Sequence, residues 1–183
     1  SKIIENDYSL NMNLFREITL NVSKDFKVVK LGDIIKTKKG TIAATKTTNS
    51  GEYQVISVSD KRTHNAFTNS GETLAMCGHG GGSFKLAYTQ NKCILSTIMY
   101  ELETTDKVNK KYIFYYLKIN ISQIKDSCIK GACQPSVNFK IFNKIKLPLP
   151  PLDIQTRIVE QLDNIYENEI ATSKKLIKGL ETS

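Results

Sequence analysis

The stretch Ile145-Lys146-Leu147-Pro148-Leu149-Pro150-Pro151-Leu152-Asp153-Ile154-Gln155 decides how this chain is built. Its first half reads as a short strand, returning at Ile141 to Leu149 and ending where Pro150-Pro151 removes two backbone donors. Three of the four prolines fall at 148–151, a stiff joint between two differently patterned parts. Beyond it Ile154, Ile158, Leu162, Ile165, Ile170, Leu176, Ile177 and Leu180 recur at three- and four-residue steps, with no further proline. That spacing predicts one helix over about 152–180, roughly 43 Å long at 1.5 Å per residue. A small domain covers only part of such a rod. Ile158, Leu162, Ile165, Ile170, Leu176, Ile177 and Leu180 are therefore expected to meet another helix as a coiled coil, within a longer chain or across a homodimer.

Upstream of the joint the periodicity is mostly that of strands. Phe26 to Ile35 opens as an extended segment followed by a turn, and Lys36 to Gly51 reads as polar loop. Tyr53–Val58, Thr73–Cys77, Phe84–Tyr88 and Cys93–Leu102 are strand candidates, separated by turn signals. Tyr112, Ile113, Tyr116, Leu117, Ile119 and Ile121 predict a helix at about 109–124, and Pro135 keeps Gly131–Ser136 in a loop. The expected fold class is α/β (α+β): a small mixed or antiparallel β-rich domain at 24–150, then one long coiled-coil helix at 151–183. Residues 1–23 read as a connector.

Charge divides along the same boundaries. The 183 residues carry a net +8, yet residues 1–23 hold −1 and residues 151–183 hold −2. The central segment therefore holds +11, from 20 basic and 9 acidic side chains, a field that attracts polyanions such as nucleic acid. With 40% apolar residues the chain is too hydrophobic for disorder, and no apolar run reaches a membrane span. It reads as soluble and cytoplasmic, with no membrane partner. Cys77, Cys93, Cys128 and Cys133 form no C-x-x-C pair and read as free thiols of a reducing compartment, so no metal is expected.

Catalytic signatures are missing: no G-x-S-x-G elbow, no P-loop, no H-E-x-x-H and no asparagine before a double proline. Gly78-His79-Gly80-Gly81-Gly82 lacks the lysine and hydroxyl residue of a nucleotide cradle. Cys77 and His79, two apart on a strand, could share a face, but no third residue to orient the histidine is visible. The composition instead suits a DNA reader, which needs cations for phosphates and hydrogen-bonding side chains for base edges. Four loops supply both. Lys38, Lys39, Thr41, Thr45, Lys46, Thr47 and Asn49 form the first, and Lys61, Arg62, His64 and Asn65 the second. His79, Ser83 and Lys85 flank Gly80 and Gly81, where missing side chains admit a close phosphate. Lys130, Gln134 and Ser136 form the fourth. Phe84 suits core and base contact equally.

Three motifs resemble a known family. Val29-Lys30-Leu31-Gly32-Asp33-Ile34 resembles the opening of a target recognition domain in type I restriction-modification specificity subunits. Gly131-Ala132-Cys133-Gln134-Pro135-Ser136-Val137-Asn138 resembles a loop near the end of such domains, and Leu147-Pro148-Leu149-Pro150-Pro151-Leu152-Asp153-Ile154-Gln155 the signature that leads into their spacer helix. Asp7-Tyr8-Ser9-Leu10-Asn11 is similar to the tail that closes methyltransferase subunits of these systems, as in a methyltransferase–specificity fusion of the type IIG kind. The resemblance implies a non-enzymatic module that reads half of a bipartite site in double-stranded DNA. It would direct N6-adenine methylation, and cleavage, by partner methyltransferase and restriction subunits. S-adenosylmethionine would sit in the methyltransferase, and this chain would hold no cofactor. The competing reading is a non-catalytic assembly module acting through its helix.

Overall fold

The computed structural model describes residues 26–58, 62–79, 84–130 and 135–181, with Lys130 and residues 169–181 placed as backbone. The connector 1–23, and the tail-like motif in it, lie outside them. In chain order come β1 (Lys27–Lys30), α1 (Leu31–Ile34), β2 (Ile35–Lys39), β3 (Tyr53–Ile56), β4 (Thr63–His64) and β5 (Thr73–Cys77). Then follow β6 (Leu86–Thr89), β7 (Cys93–Leu95), β8 (Met99–Thr104), α2 (Lys110–Ile119) and α3 (Ile121–Cys128). Last are β9 (Ile129–Lys130), β10 (Ser136–Val137), α4 (Phe139–Phe142), β11 (Lys146–Leu149) and α5 (Leu152–Glu181).

The domain is layered around β5, which is buried along its whole length. A four-stranded antiparallel sheet runs in the order β2-β8-β5-β6. Successive strand residues face opposite ways, so Thr73–Cys77 supplies two cores at once. Leu74 and Met76, with Leu102 and Ile35, meet the helices, where Tyr112, Ile113, Leu117 and Phe142 are buried. The smaller Ala75 and Cys77, with Met99, meet Ile56, Cys93 and Leu95 of a second, three-stranded sheet, β4-β3-β7. Its β3 runs antiparallel to β4 and parallel to β7, which makes the fold a mixed α/β one, as expected. A separate antiparallel ribbon pairs β1 with β11, Lys27 opposite Leu149 and Lys30 opposite Lys146. Gly32 follows, against Asn143: a Cβ there would lie 2.8 Å from the asparagine's own.

Several expected elements are revised. Lys36–Lys39 belongs to strand β2, whose two-sided polarity hides it from any alternation rule. The run Cys93–Leu102 is two strands, because Ser96–Ile98 carries the chain from one sheet to the other, its Ser96 and Thr97 amides donating to Ile56 and Ile42 carbonyls at 3.0 Å. The helix expected at 109–124 breaks at Asn120, whose side-chain amide donates to the Tyr116 carbonyl at 2.8 Å. Phe139–Phe142 is a helical turn where a strand was expected to start by Ile141, capped by Asn138 Oδ1 accepting from the Lys140 amide at 3.1 Å.

The long helix is present, 30 residues from Leu152 to Glu181. Its beginning, however, lies on the domain. Ile158, Val159 and Leu162 are buried in the same core as α2, so Ile158 and Leu162 are not available to a partner helix. Lys111 Nζ reaches Asp163 at 2.7 Å, the Tyr115 hydroxyl donates to the same carboxylate, and the Tyr115 and Tyr166 rings stack with centroids 5.4 Å apart. Ile165 is half-buried, and Ile170, Leu176, Ile177 and Leu180 lie beyond the described side chains.

Gln155 locks the joint. It is 1% exposed, and its Oε1 accepts from the Asn109 amide at 2.8 Å. Its Nε2 donates to the Pro150 carbonyl at 2.8 Å and the Lys107 carbonyl at 3.3 Å. Asn109 is itself the cap of α2, accepting from the Lys111 and Tyr112 amides at 2.9 and 3.1 Å. One side chain thus fixes the proline joint, the cap of α2 and the start of α5 together.

Candidate nucleic-acid interface

The pleat of β2 splits the first group of lysines. Lys39 stands opposite Tyr100, while Lys38 stands opposite Glu101 on the other face and lies 3.7 Å from Glu103 Oε1. That ion pair is exposed on both sides and holds little energy, but it sets a negative charge beside Lys38. After Gly40, whose missing Cβ lets the Ser96 carbonyl approach, Thr41 is exposed. Thr45 and Lys46 sit exposed on a 3-10 turn, Ala44–Lys46, and Asn49 is exposed after it.

Thr47 does not point outward. Its hydroxyl donates to the Ala44 carbonyl at 2.7 Å and accepts from Arg62 Nη1 at 3.0 Å, tying the first loop to the second. The Thr48 and Thr63 backbones bond each other at 2.8 and 2.9 Å alongside. His64 is half-buried, its Nδ1 accepting from the Ala66 amide at 3.0 Å, and Asn65 is exposed. Lys85 Nζ donates to the Val58 carbonyl at 2.8 Å, which joins the end of β3 to the start of β6.

The third and fourth loops also meet. The Val137 amide donates to the Gly78 carbonyl at 2.9 Å, and Ser136 pairs with His79 in an isolated antiparallel bridge. His79 is exposed, its Nε2 2.9 Å from the Tyr100 hydroxyl. Gly78 makes that possible: a Cβ would lie 2.4 Å from the Tyr100 ring. Phe84, which follows the glycine run in sequence, is turned inward. It is 1% exposed against Phe142, and its backbone sits at φ 67°, a conformation a bulky residue adopts only when packing holds it there. Phe84 is core. Lys61, Gly80, Gly81, Ser83 and Gln134 lie outside the described residues, as does the side chain of Lys130.

Cys77 and His79 do not form a nucleophile–base pair. Cys77 is fully buried and its thiol donates to the His79 backbone carbonyl at 3.1 Å, while the imidazole bonds Tyr100. Burial pushes the thiols of Cys93 and Cys128 above their usual range, away from the reactive thiolate. Among the described residues, no three His, Cys, Asp or Glu side chains gather as a metal site, and no helix is long and apolar enough to cross a membrane.

Four further residues lie against these side chains and were not singled out by sequence pattern. Tyr100 holds His79, and Tyr53, Phe67 and Lys92 form an aromatic–cation group beside His64. Tyr100 stands 21 residues from His79, and only the pairing of β8 with β5 brings them together.

Comparison with known proteins now decides the family. The type I restriction modification DNA specificity domain matches residues 23–182. This chain belongs to that family. The specificity domain is 35% identical, over 88% of its length, to the MjaVIII specificity subunit of Methanocaldococcus jannaschii, and 26% identical, over 83%, to the EcoDI specificity subunit of Escherichia coli. It spans only 40% and 34% of those relatives. Its fold matches the type I S subunit from M. genitalium with a TM-score of 0.66 at 14% identity, covering 85% of this chain and 43% of that one. It matches the HsdS subunit of Thermoanaerobacter tengcongensis at 0.61, covering 95% and 49%. Nearly the whole chain, residues 23–182, is thus accounted for by one type I restriction modification DNA specificity domain.

Proposed function

We propose that the domain reads one half of a bipartite site in double-stranded DNA and thereby directs adenine N6 methylation, and cleavage, by partner methyltransferase and restriction subunits. The observation that carries the reading is the linkage of the loops. Turns distant in sequence are tied pairwise by Arg62 to Thr47, Lys85 to Val58 and His79 to Ser136, on the segment that holds +11. A solvated loop needs no such ties, whereas a reader must hold its side chains in register before the duplex arrives. In this arrangement Lys39, Lys46 and Arg62 set the register on phosphates, and His64, Asn65, His79 and Ser136 face base edges.

The helix α5 serves as the spacer. Its first turns, locked to α2, set its direction, and the stripe from Ile165 to Leu180 meets a second helix. That helix belongs to a second domain of a longer chain or to a second copy. The methyl donor, S-adenosylmethionine, sits in the partner methyltransferase.

Selection of duplexes from a random pool, followed by mobility shifts, tests the reading. One preferred sequence motif is expected, bound far more tightly than random duplex. Equal binding to all duplexes, or none, would favour an assembly module instead.

A further inference from the structure

Three large apolar side chains are exposed among the described residues: Val28, Phe67 and Leu152. Val28 lies on the β1–β11 ribbon and Leu152 opens α5, so Phe67 alone of the three sits among the polar loops. Its turn is pinned at both ends. The Ala66 amide donates to His64 Nδ1 at 3.0 Å, and the Thr68 and Asn69 amides both donate to the Cys93 carbonyl, at 3.1 and 3.0 Å. The ring meets the Tyr53 ring edge-on, centroids 4.8 Å apart, and Lys92 Nζ stands 4.7 Å from its centre. Tyr53 in turn pairs with His64 across β3 and β4, which continues the patch into the second loop.

A held apolar ring beside a cation suits a ligand that is both apolar and anionic at close range. In a duplex three contacts fit that description: a wedge between base pairs, a stacked base, and a methyl group on a base edge. Phe67 is only 38% exposed, too embedded to part a base step. The Lys92 ammonium stands over one ring face and the Tyr53 ring meets Phe67 at an angle of 60°, a crowded setting that disfavours a stacked base. What is left exposed is a partial apolar surface, which suits a small group such as a methyl.

We infer that Phe67 packs on the C5-methyl group of a pyrimidine in the major groove, while Lys92 contacts the neighbouring phosphate. This rests on the reading of the domain as a duplex reader. Thymine and 5-methylcytosine both carry that methyl, and the test separates them.

Starting from the selected duplex, each thymine is replaced in turn by uracil and each cytosine by 5-methylcytosine, and binding of the full chain is measured. At one position wild type should lose affinity about three- to fivefold with uracil, or gain as much with 5-methylcytosine, the worth of one buried methyl. Phe67→Ala should abolish that response, and Phe67→Gln, closer in length, repeats the test should the alanine protein not fold. Lys92→Gln should weaken all duplexes alike and lower the salt slope by about one, leaving the methyl response intact. A response unchanged in both Phe67 variants, or absent from wild type, overturns the inference while leaving duplex reading in place. A selection without any preferred duplex overturns both.

Discussion

Gln155→Ala should destabilise the domain by about 3 kcal/mol, a large fraction of what a domain of this size has to lose. The substitution removes three hydrogen bonds at a site 1% exposed and leaves the Asn109 amide and the Pro150 carbonyl without partners. A buried unsatisfied group costs about 1–3 kcal/mol, and a water admitted to the vacated space would recover part of the sum. With a urea dependence near ~2 kcal/mol per molar, the unfolding midpoint should fall by about 1.5 M. Gln155→Glu sharpens the test. One carboxylate oxygen can still accept from the Asn109 amide, but the other faces the Pro150 and Lys107 carbonyls, which only accept. Protonation supplies the missing donor, so the folded state raises the pKa of the introduced carboxyl above its unfolded value. The variant is then most stable below about pH 4, and loses stability as pH rises through the folded-state value. Circular dichroism in urea at several pH values measures both. An alanine midpoint within about 0.3 M of wild type, or a pH-independent glutamate variant, would refute the reasoning.

Gly78→Ala forces a Cβ to 2.4 Å from the Tyr100 ring and should cost about 1–3 kcal/mol in thermal unfolding while displacing His79. Tyr100→Phe keeps the ring and should cost under about 1 kcal/mol, yet weaken the selected duplex in mobility shifts, because only the bond to His79 is lost. Phe84→Ala should lose about 3–5 kcal/mol, and Phe84→Gly up to about 1 kcal/mol less than that, since φ 67° suits glycine; urea midpoints would reveal this reversed order. Lys39→Gln with Lys46→Gln should weaken all duplexes and reduce the salt slope by about two, read from binding at several salt concentrations. Burial first of all holds the Tyr88, Tyr112 and Tyr115 hydroxyls above their usual range, helped at Tyr115 by Asp163. These groups keep their protons when folded, so stability should be intact below about pH 10 and fall above it in thermal melts.

Where local pattern and tertiary demand agree, the sequence is readable. Thr73–Cys77, Tyr53–Ile56 and the helix after Pro151 are of this kind, each announced by its apolar run and punctuation. The failures share a cause. Strand β2 is edge and polar, Ser96–Ile98 breaks a β-competent run because the chain must change sheets, and Asn120 interrupts a helix whose stripe continues past it. None of these is encoded within a few residues. The candidate interface shows the same limit: its polar loops are evident from composition, but Thr47 turns inward to hold Arg62, and the contacts of Tyr100 and Phe67 arise only through strand pairing. Ile158 and Leu162 were legible as apolar and not as intramolecular, since a stripe does not say which surface covers it.

The ribbon of β1 and β11 makes the incoming and outgoing backbones neighbours, about 5 Å apart where Lys27 faces Leu149. The segment between them is joined to the flanking chain twice, by this two-stranded stem and by the seat of α5 on α2. The loops of that segment can be lengthened or shortened without altering the path of the flanking polypeptide, provided the ribbon and the Asn109–Gln155 and Lys111–Asp163 bonds are kept. On the proposed reading, loops can then vary between two fixed seams while the helix beyond Pro151 keeps its bearing.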